Sequence, residues 1–286
     1  MTVAQAPVRT AASTAPIATV AATNAASLSA RSELTAQQGP AAAQAAAGAA
    51  GGLDEYYAPA QGKTGADLLY SLYTIVRTGH VDRGYSQARE ELFSEVDDPD
   101  GNNQIADVFT GVERGPITGK GDGFAKGMNT EHTWAQSKGA TGIAQSDLHH
   151  LRASDIDTNS RRASFPYGNV TTSEWSTGEG VHQARLGTDS LGWTVFEPAP
   201  QFKGDIARGL LYFYTRYNAS RTNKYTDKDF IHEVPTLIKW AQEDPVDAAE
   251  ITRNNTVQKF QGNRNPYIDH PEFIAAVDFM SVTKQG

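Results

Sequence analysis

The sequence predicts an α+β fold, a mostly helical body around a small β-containing insert. Three observations carry this. Leu68, Leu69, Leu72, Tyr73, Ile75 and Val76 recur at helical spacing early in the chain, and Ile206, Leu210, Leu211, Phe213, Tyr214 and Tyr217 do so later. The glycine-rich and β-branched stretches between them lack that period. The span from His132 to Asn159 has room for a strand, a loop, a second strand and a helix. No internal repeat and no composition shift after residue 53 marks a second domain, so residues 53–286 are expected to form one domain.

Taken in order, Met1 to Gly52 is dominated by Ala, Thr, Ser, Gln and Gly. Such a segment buries too little apolar surface to offset its ordering entropy, and it is expected to be a disordered leader or tail. Its match to a secretory signal is poor, because Thr10 to Ala26 is only weakly apolar. The globular part opens near Leu53–Tyr57. Thr64 to Arg77 reads as a helix stopped at Gly79, and Tyr85 to Phe93 as a second, weaker one. Asp97 to Asn103 is a turn cluster that has the oxygen-rich composition of a calcium loop without the EF-hand spacing or its closing Glu. Ile105 to Thr110 reads as a strand and Gly111 to Gly127 as a loop. Val181 to Glu197 reads as strands or loops. Helices follow from Gly204, over Pro235 to Gln242 with Pro235 in the first turn, and over Pro245 to Phe260 with Ile251, Val257 and Phe260 inward. Gly262 to Pro266 is a loop and Pro271 to Phe279 a last helix.

Composition narrows the chemistry. Cysteine is absent, which excludes disulfides, thiolate metal sites and cysteine nucleophiles. No apolar run approaches the roughly 18 residues of a bilayer span, so no membrane partner is expected. The net charge of −8 counts against a non-specific nucleic-acid binder, so such a site would need a local cluster of Lys and Arg.

One stretch concentrates reactive side chains. It opens with Glu131–His132, passes Asp147, His149 and His150, and closes on Asn159, Arg161 and Arg162. Cleaving a phosphodiester with water requires a base, positive charge on the phosphate and stabilisation of the departing oxygen. His132 suits the base, since a neutral imidazole titrates near working pH. Glu131 and Asn159 offer oxygens to a hard cation. Neighbouring strand residues point to opposite faces, so this pair should sit at a strand end. Ser154 reads as the N-cap of the following helix with Asp157 in a capping-box position, which puts Asn159 about one turn in and Arg162 beside it. Lys138, Arg152, Arg161 and Arg162 are the phosphate-binding candidates, and Asp147, His149 and His150 the candidates for supporting the base. Each has a bland reading alone: a solvated Glu–His or Arg–Arg pair, core histidines, a turn-capping Asp. The order and spacing together point to a phosphodiesterase site.

That stretch resembles the active-site region of the bacterial endonuclease I family, nucleases of the His-Me finger (ββα-metal) class. The residues carrying the resemblance are Asn129 to Trp134, Ser146 to Leu151 and Asn159 to Arg162. Further likeness lies in Tyr56 to His80, Phe202 to Arg208, Trp240, Asp244 to Asp247 and Gln261 to Pro271. The resemblance implies a mixed α/β fold around a ββα-metal core. It also implies sequence-non-specific cleavage of DNA, and of RNA too, to 5′-phosphates. By the same resemblance His132 is the general base, and Glu131 and Asn159 hold one Mg2+, with Ca2+ or Mn2+ as substitutes. It further implies an extracellular or periplasmic location, and a monomer is expected. One departure is Ala135, where the family usually has Pro. The rival reading is a non-catalytic nucleic-acid-binding protein that kept the fold; it would have no need of Glu131, His132 and Asn159 in register.

Overall fold

A computed structural model describes residues 52–178, 180–218 and 228–280. The expectation for Met1 to Gly52 lies, but for Gly52 itself, outside the described residues.

The fold is α+β. Helix α1 (Gly65–Arg77) lays Leu68, Leu69, Leu72, Ile75 and Val76 into the core, the face its spacing predicts. Helix α2 (Tyr85–Glu91) runs on into a wider π-helical turn, Leu92–Val96, which buries Leu92, Phe93 and Val96 and so lengthens the expected element. In the Asp97–Asn103 turn, Asp98 accepts the amides of Asn102 and Asn103, and Asp97 meets Arg253 and the Ala153 amide. These acids are occupied in holding the turn. The predicted strand over Ile105–Thr110 shrinks to a pair, β1 (Ile105–Ala106) with β2 (Glu113–Arg114), because Asp107 turns the chain by accepting from Phe109 and Thr110. Gly111 to Gly127, expected to be loop, holds β2 and the short helix α3 (Lys120–Ala125).

Next come β3 (Met128–His132), β4 (Leu151–Asp155) and α4 (Ile156–Arg162), with no loop between β4 and α4. The strands are antiparallel, with Glu131 opposite Arg152 and His132 opposite Leu151. The helix cap is Asp155 rather than Ser154: its carboxylate accepts the Thr158 amide at 2.8 Å, while Ser154 still belongs to β4. Strands β5 (Thr172–Thr177), β6 (Ala184–Thr188) and β7 (Thr194–Glu197) form a separate antiparallel sheet. The alternating Thr, Ser, Glu and Trp of β5 lie mostly exposed and left no apolar period to read.

Helix α5 (Lys203–Phe213) is buried from Gly204 to Phe213 and forms the axis of the body. Gly204 is required there, since a Cβ would meet the Asp244 carbonyl at 2.1 Å. Helix α6 (Lys228–Glu243) starts two turns before the expected point and carries Pro235 in its interior. Phe230, Val234, Leu237 and Trp240 make one continuous buried stripe, and that burial outweighs the backbone bond proline forgoes. Helix α7 (Ala248–Gln261) is capped by Asp247, so it starts after the predicted Pro245. Its inward face is Glu250, Arg253, Asn254, Val257 and Gln261; Ile251, expected inward, is 48% exposed. A polar face is buried because it has polar partners: Arg208 of α5 grips Glu250, and Arg253 bonds the Leu148 and Leu151 carbonyls. The predicted C-terminal loop and helix resolve into α8 (Pro266–Asp269) and α9 (Phe273–Ala276).

Two apolar clusters result. The larger gathers α1, α5 and α6; the smaller packs α2 and Val257 against Met128, Leu151 and Ala153 on one face of the β3–β4 pair. The β3–β4 pair thus rests on the smaller cluster, and Trp134, just past β3, enters the larger one.

Candidate active site

The site is built on the open edge of β3. The Thr130 and His132 carbonyls point away from β4 and are taken by α4. Asn159 Nδ2 reaches Thr130 O at 3.4 Å, and Arg162 Nη1 reaches His132 O at 3.3 Å. Two strand residues cover about 6.6 Å and three helical residues about 4.5 Å, so an i, i+3 pair with long side chains can span that interval.

Glu131 and His132 point to opposite faces of β3, as their adjacency requires, and His132 ends the strand. Glu131 faces α4. Its Oε1 accepts from Tyr167 Oη at 3.1 Å and lies 3.1 Å from Arg162 Nη1. Burial pushes its carboxyl up to about 7, against the pull of Arg162 and Tyr167. His132 faces α2. Its Nε2 lies 3.1 Å from the Gln145 carbonyl, which can only accept, so Nε2 carries the proton. Nδ1 therefore holds the lone pair, approached by the Gln136 amide at 3.3 Å. Burial drives the imidazole down to about 3, helped by His150, Arg162 and Arg89 and opposed by the Gln145 carbonyl. At neutral pH the His132 imidazole is uncharged, with a defined tautomer.

Glu131 Oε2 and Asn159 Oδ1 have no hydrogen-bond partner among the described residues, whereas Oε1 and Nδ2 are engaged. Two hard oxygens with free lone pairs suit Mg2+ or Ca2+. Among the described residues no three His, Cys, Asp or Glu side chains form a closed cage. A cation here would keep several waters or substrate oxygens, the habit of Mg2+.

The family model for Endonuclease I matches residues 64–272. The chain belongs to the endonuclease I family. It is 34% identical over 235 residues to an extracellular ribonuclease of Bacillus amyloliquefaciens, covering 77% of this chain and 76% of that one. The counterpart of Bacillus subtilis (strain 168) is also 34% identical, over 77% of each chain. An extracellular deoxyribonuclease of Aeromonas hydrophila is 27% identical over 129 residues, 44% of this chain and 50% of that protein. This chain is thus an endonuclease, a hydrolase with nucleic acid as substrate.

In this endonuclease most of the predicted phosphate-binding side chains are already engaged. Arg162 is 3% exposed and staples the strand end through Glu131 and the carbonyls of His132 and Thr133. Arg152 is buried 3.5 Å from Asp205, and Lys138 pairs with Asp229. Arg161 is exposed, over the Trp175 ring. The supporting candidates separate as well. His150 stands behind His132, with ring centroids 5.5 Å apart, and its Nε2 donates to Ala144 O. Asp147 and His149 point into the body instead. Asp147 accepts from Tyr212, Tyr217, Gln261 and the His149 amide, and His149 Nε2 meets Asn263 O. Burial opposes the charge on Asp147, yet the imidazoles around it and the Gln261 bond hold it well below the usual carboxylate range.

Five neighbours were not singled out from sequence as site residues: Tyr167, Gln145, Gln136, Tyr85 and Arg89. Tyr167 lies shortly after Arg162 in the chain, and that nearness was the available signal. Tyr85 and Arg89 share a helix face at i, i+4 spacing, but nothing in the sequence ties that face to β3.

Proposed function

We propose that this endonuclease hydrolyses phosphodiester bonds in DNA and RNA without sequence preference, leaving 5′-phosphates. His132 Nδ1 takes the proton from the attacking water. A divalent cation on Glu131 Oε2 and Asn159 Oδ1, Mg2+ or in its place Ca2+ or Mn2+, would supply positive charge to the phosphate and the departing oxygen. The single observation that supports this most is the Gln145 carbonyl on His132 Nε2, which leaves an uncharged Nδ1 as the base. The β3–β4–α4 unit is in this reading a ββα-metal core: β3 presents the base and the carboxylate, and α4 sets Asn159 at the open edge of β3. Arg162 and Tyr167 hold Glu131 in place and favour its ionised form. Sequence is not read, because contacts to phosphate carry none of it. The names of the relatives favour work outside the cell, and among the described residues no helix is long and apolar enough to cross a membrane.

The test is cleavage of plasmid and of RNA with Mg2+ and with EDTA. His132→Ala should slow cleavage by about a hundred-fold or more while leaving binding nearly intact. Asn159→Ala should raise the Mg2+ concentration needed for half-maximal rate. Equal rates in the His132 variant, or an unchanged Mg2+ titration in the Asn159 variant, would remove that residue from the scheme.

A further inference from the structure

An acidic chain that cuts a polyanion needs a guanidinium left open beside the base, and most arginines here are spent on carboxylates. Arg83, Arg114, Arg152, Arg162, Arg185, Arg208, Arg253 and Arg264 each meet Asp or Glu. Arg89 does not, among the described residues. It lies on α2, on the face of β3 that carries His132, and its Nε meets Thr130 Oγ1 at 3.3 Å, two residues before His132 on that face. Neither Nη has a hydrogen-bond partner among the described residues. The guanidinium lies over two rings, 5.4 Å from the centre of Tyr85 and 5.2 Å from that of Phe124. The Tyr85 ring in turn stands 5.4 Å from the His132 ring. Phe124, from α3, is 49% exposed, so part of its ring surface is open to solvent.

Resting on the phosphodiesterase reading above, we propose that Arg89, Tyr85 and Phe124 form a subsite for an unpaired nucleotide next to the scissile bond. Arg89 grips its phosphate through the free Nη edge, and the exposed face of Phe124 stacks its base. Rings below and beside a guanidinium fix its plane, which leaves the planar fork aimed outward for phosphate oxygens. A phenyl face accepts any base, so the subsite adds affinity without sequence preference. A base inside a duplex has no free face to offer, so the subsite favours single strands and melted ends over intact duplex.

Binding is measured in a His132→Ala background with Mg2+ present, using a short fluorescein-labelled single strand and the matching duplex. Phe124→Ala is expected to weaken single-strand binding about ten-fold and duplex binding by less than about two-fold. Arg89→Gln is expected to weaken both about ten-fold and to lower the slope of log affinity against log salt by about one. Arg77→Gln, at an exposed position in the last turn of α1, is the control and should change neither. Phe124 is half-exposed, so its variant remains folded and keeps the test decisive even if Arg89→Gln is not. Single-strand binding within two-fold of the parent in Phe124→Ala, or equal loss on both probes, overturns the subsite. Cutting of the probes by the His132→Ala parent is seen on a gel and counts against the base assignment instead.

Discussion

Replacing Arg162 with Met should expose how the strand end is held. The guanidinium touches Glu131 Oε1 at 3.1 Å, His132 O at 3.3 Å and Thr133 O at 2.7 Å, and it covers the Tyr167 ring. Met fills a similar volume and supplies no donor. Removing one partner of a buried pair costs about 3–5 kcal/mol when the other keeps its charge. The sign of the pH dependence follows from Glu131, whose carboxyl is raised from 4.5 to about 7. A raised acid contributes stability that is present below pH 4.5 and lost as pH climbs through 7. Without Arg162 the carboxyl moves higher still, so the loss deepens with pH. At pH 5, where the carboxyl is neutral in parent and variant alike, the losses are the hydrogen bonds to the His132, Thr133 and Ala163 carbonyls and the cover over the Tyr167 ring. Urea unfolding at pH 5 and pH 8 should show the larger destabilisation at pH 8. The accompanying fall in Tm at pH 8 is roughly 10 °C for a chain of this size. In the proposed scheme the acidic limb of the cleavage rate should move to higher pH, because there Glu131 holds the cation only when ionised. An equal loss of stability at the two pH values would refute the claim that Arg162 holds the carboxylate charge.

Other outcomes follow from the same geometry. His150 is driven by burial from 6.5 down to about 4, so its stability contribution is present above pH 6.5 and is lost as pH falls toward 4. His150→Phe should therefore flatten the stability–pH curve in that window by about 1.4 kcal/mol per pH unit, read from urea midpoints. Ala135 already has φ −61° and ψ 141°, and its amide donates to none of the described residues, so Ala135→Pro should raise unfolding free energy by about 0.4–1 kcal/mol in the same assay. Asp147→Asn replaces one carboxylate oxygen with an NH2, which must face either the Tyr212 and Tyr217 hydroxyls that share Oδ2 or the Gln261 and His149 amides that share Oδ1. It should lower stability by about 2 kcal/mol or more while leaving the cleavage rate per folded molecule within a few-fold, since Asp147 touches neither His132 nor Glu131.

Sequence by itself determined the parts whose cause is local. The stripe of α1 is written in its apolar spacing, and the adjacency of Glu131 and His132 dictated opposite faces at a strand end. The Asp and Ser before α4 announced a helix start to within one residue. It could not tell which arginine is free, because a guanidinium's role depends on the carboxylate it meets: Arg162 and Arg152 look like phosphate ligands in sequence and are buried partners of Glu131 and Asp205. The span of α6 through Pro235 and the polar inward face of α7 were likewise decided by partners distant in the chain, where packing against α5 outweighs local preference. The tautomer of His132 belongs to the same class, for the Gln145 carbonyl that selects it arrives only once the loop from Thr133 to His150 has folded back on β3.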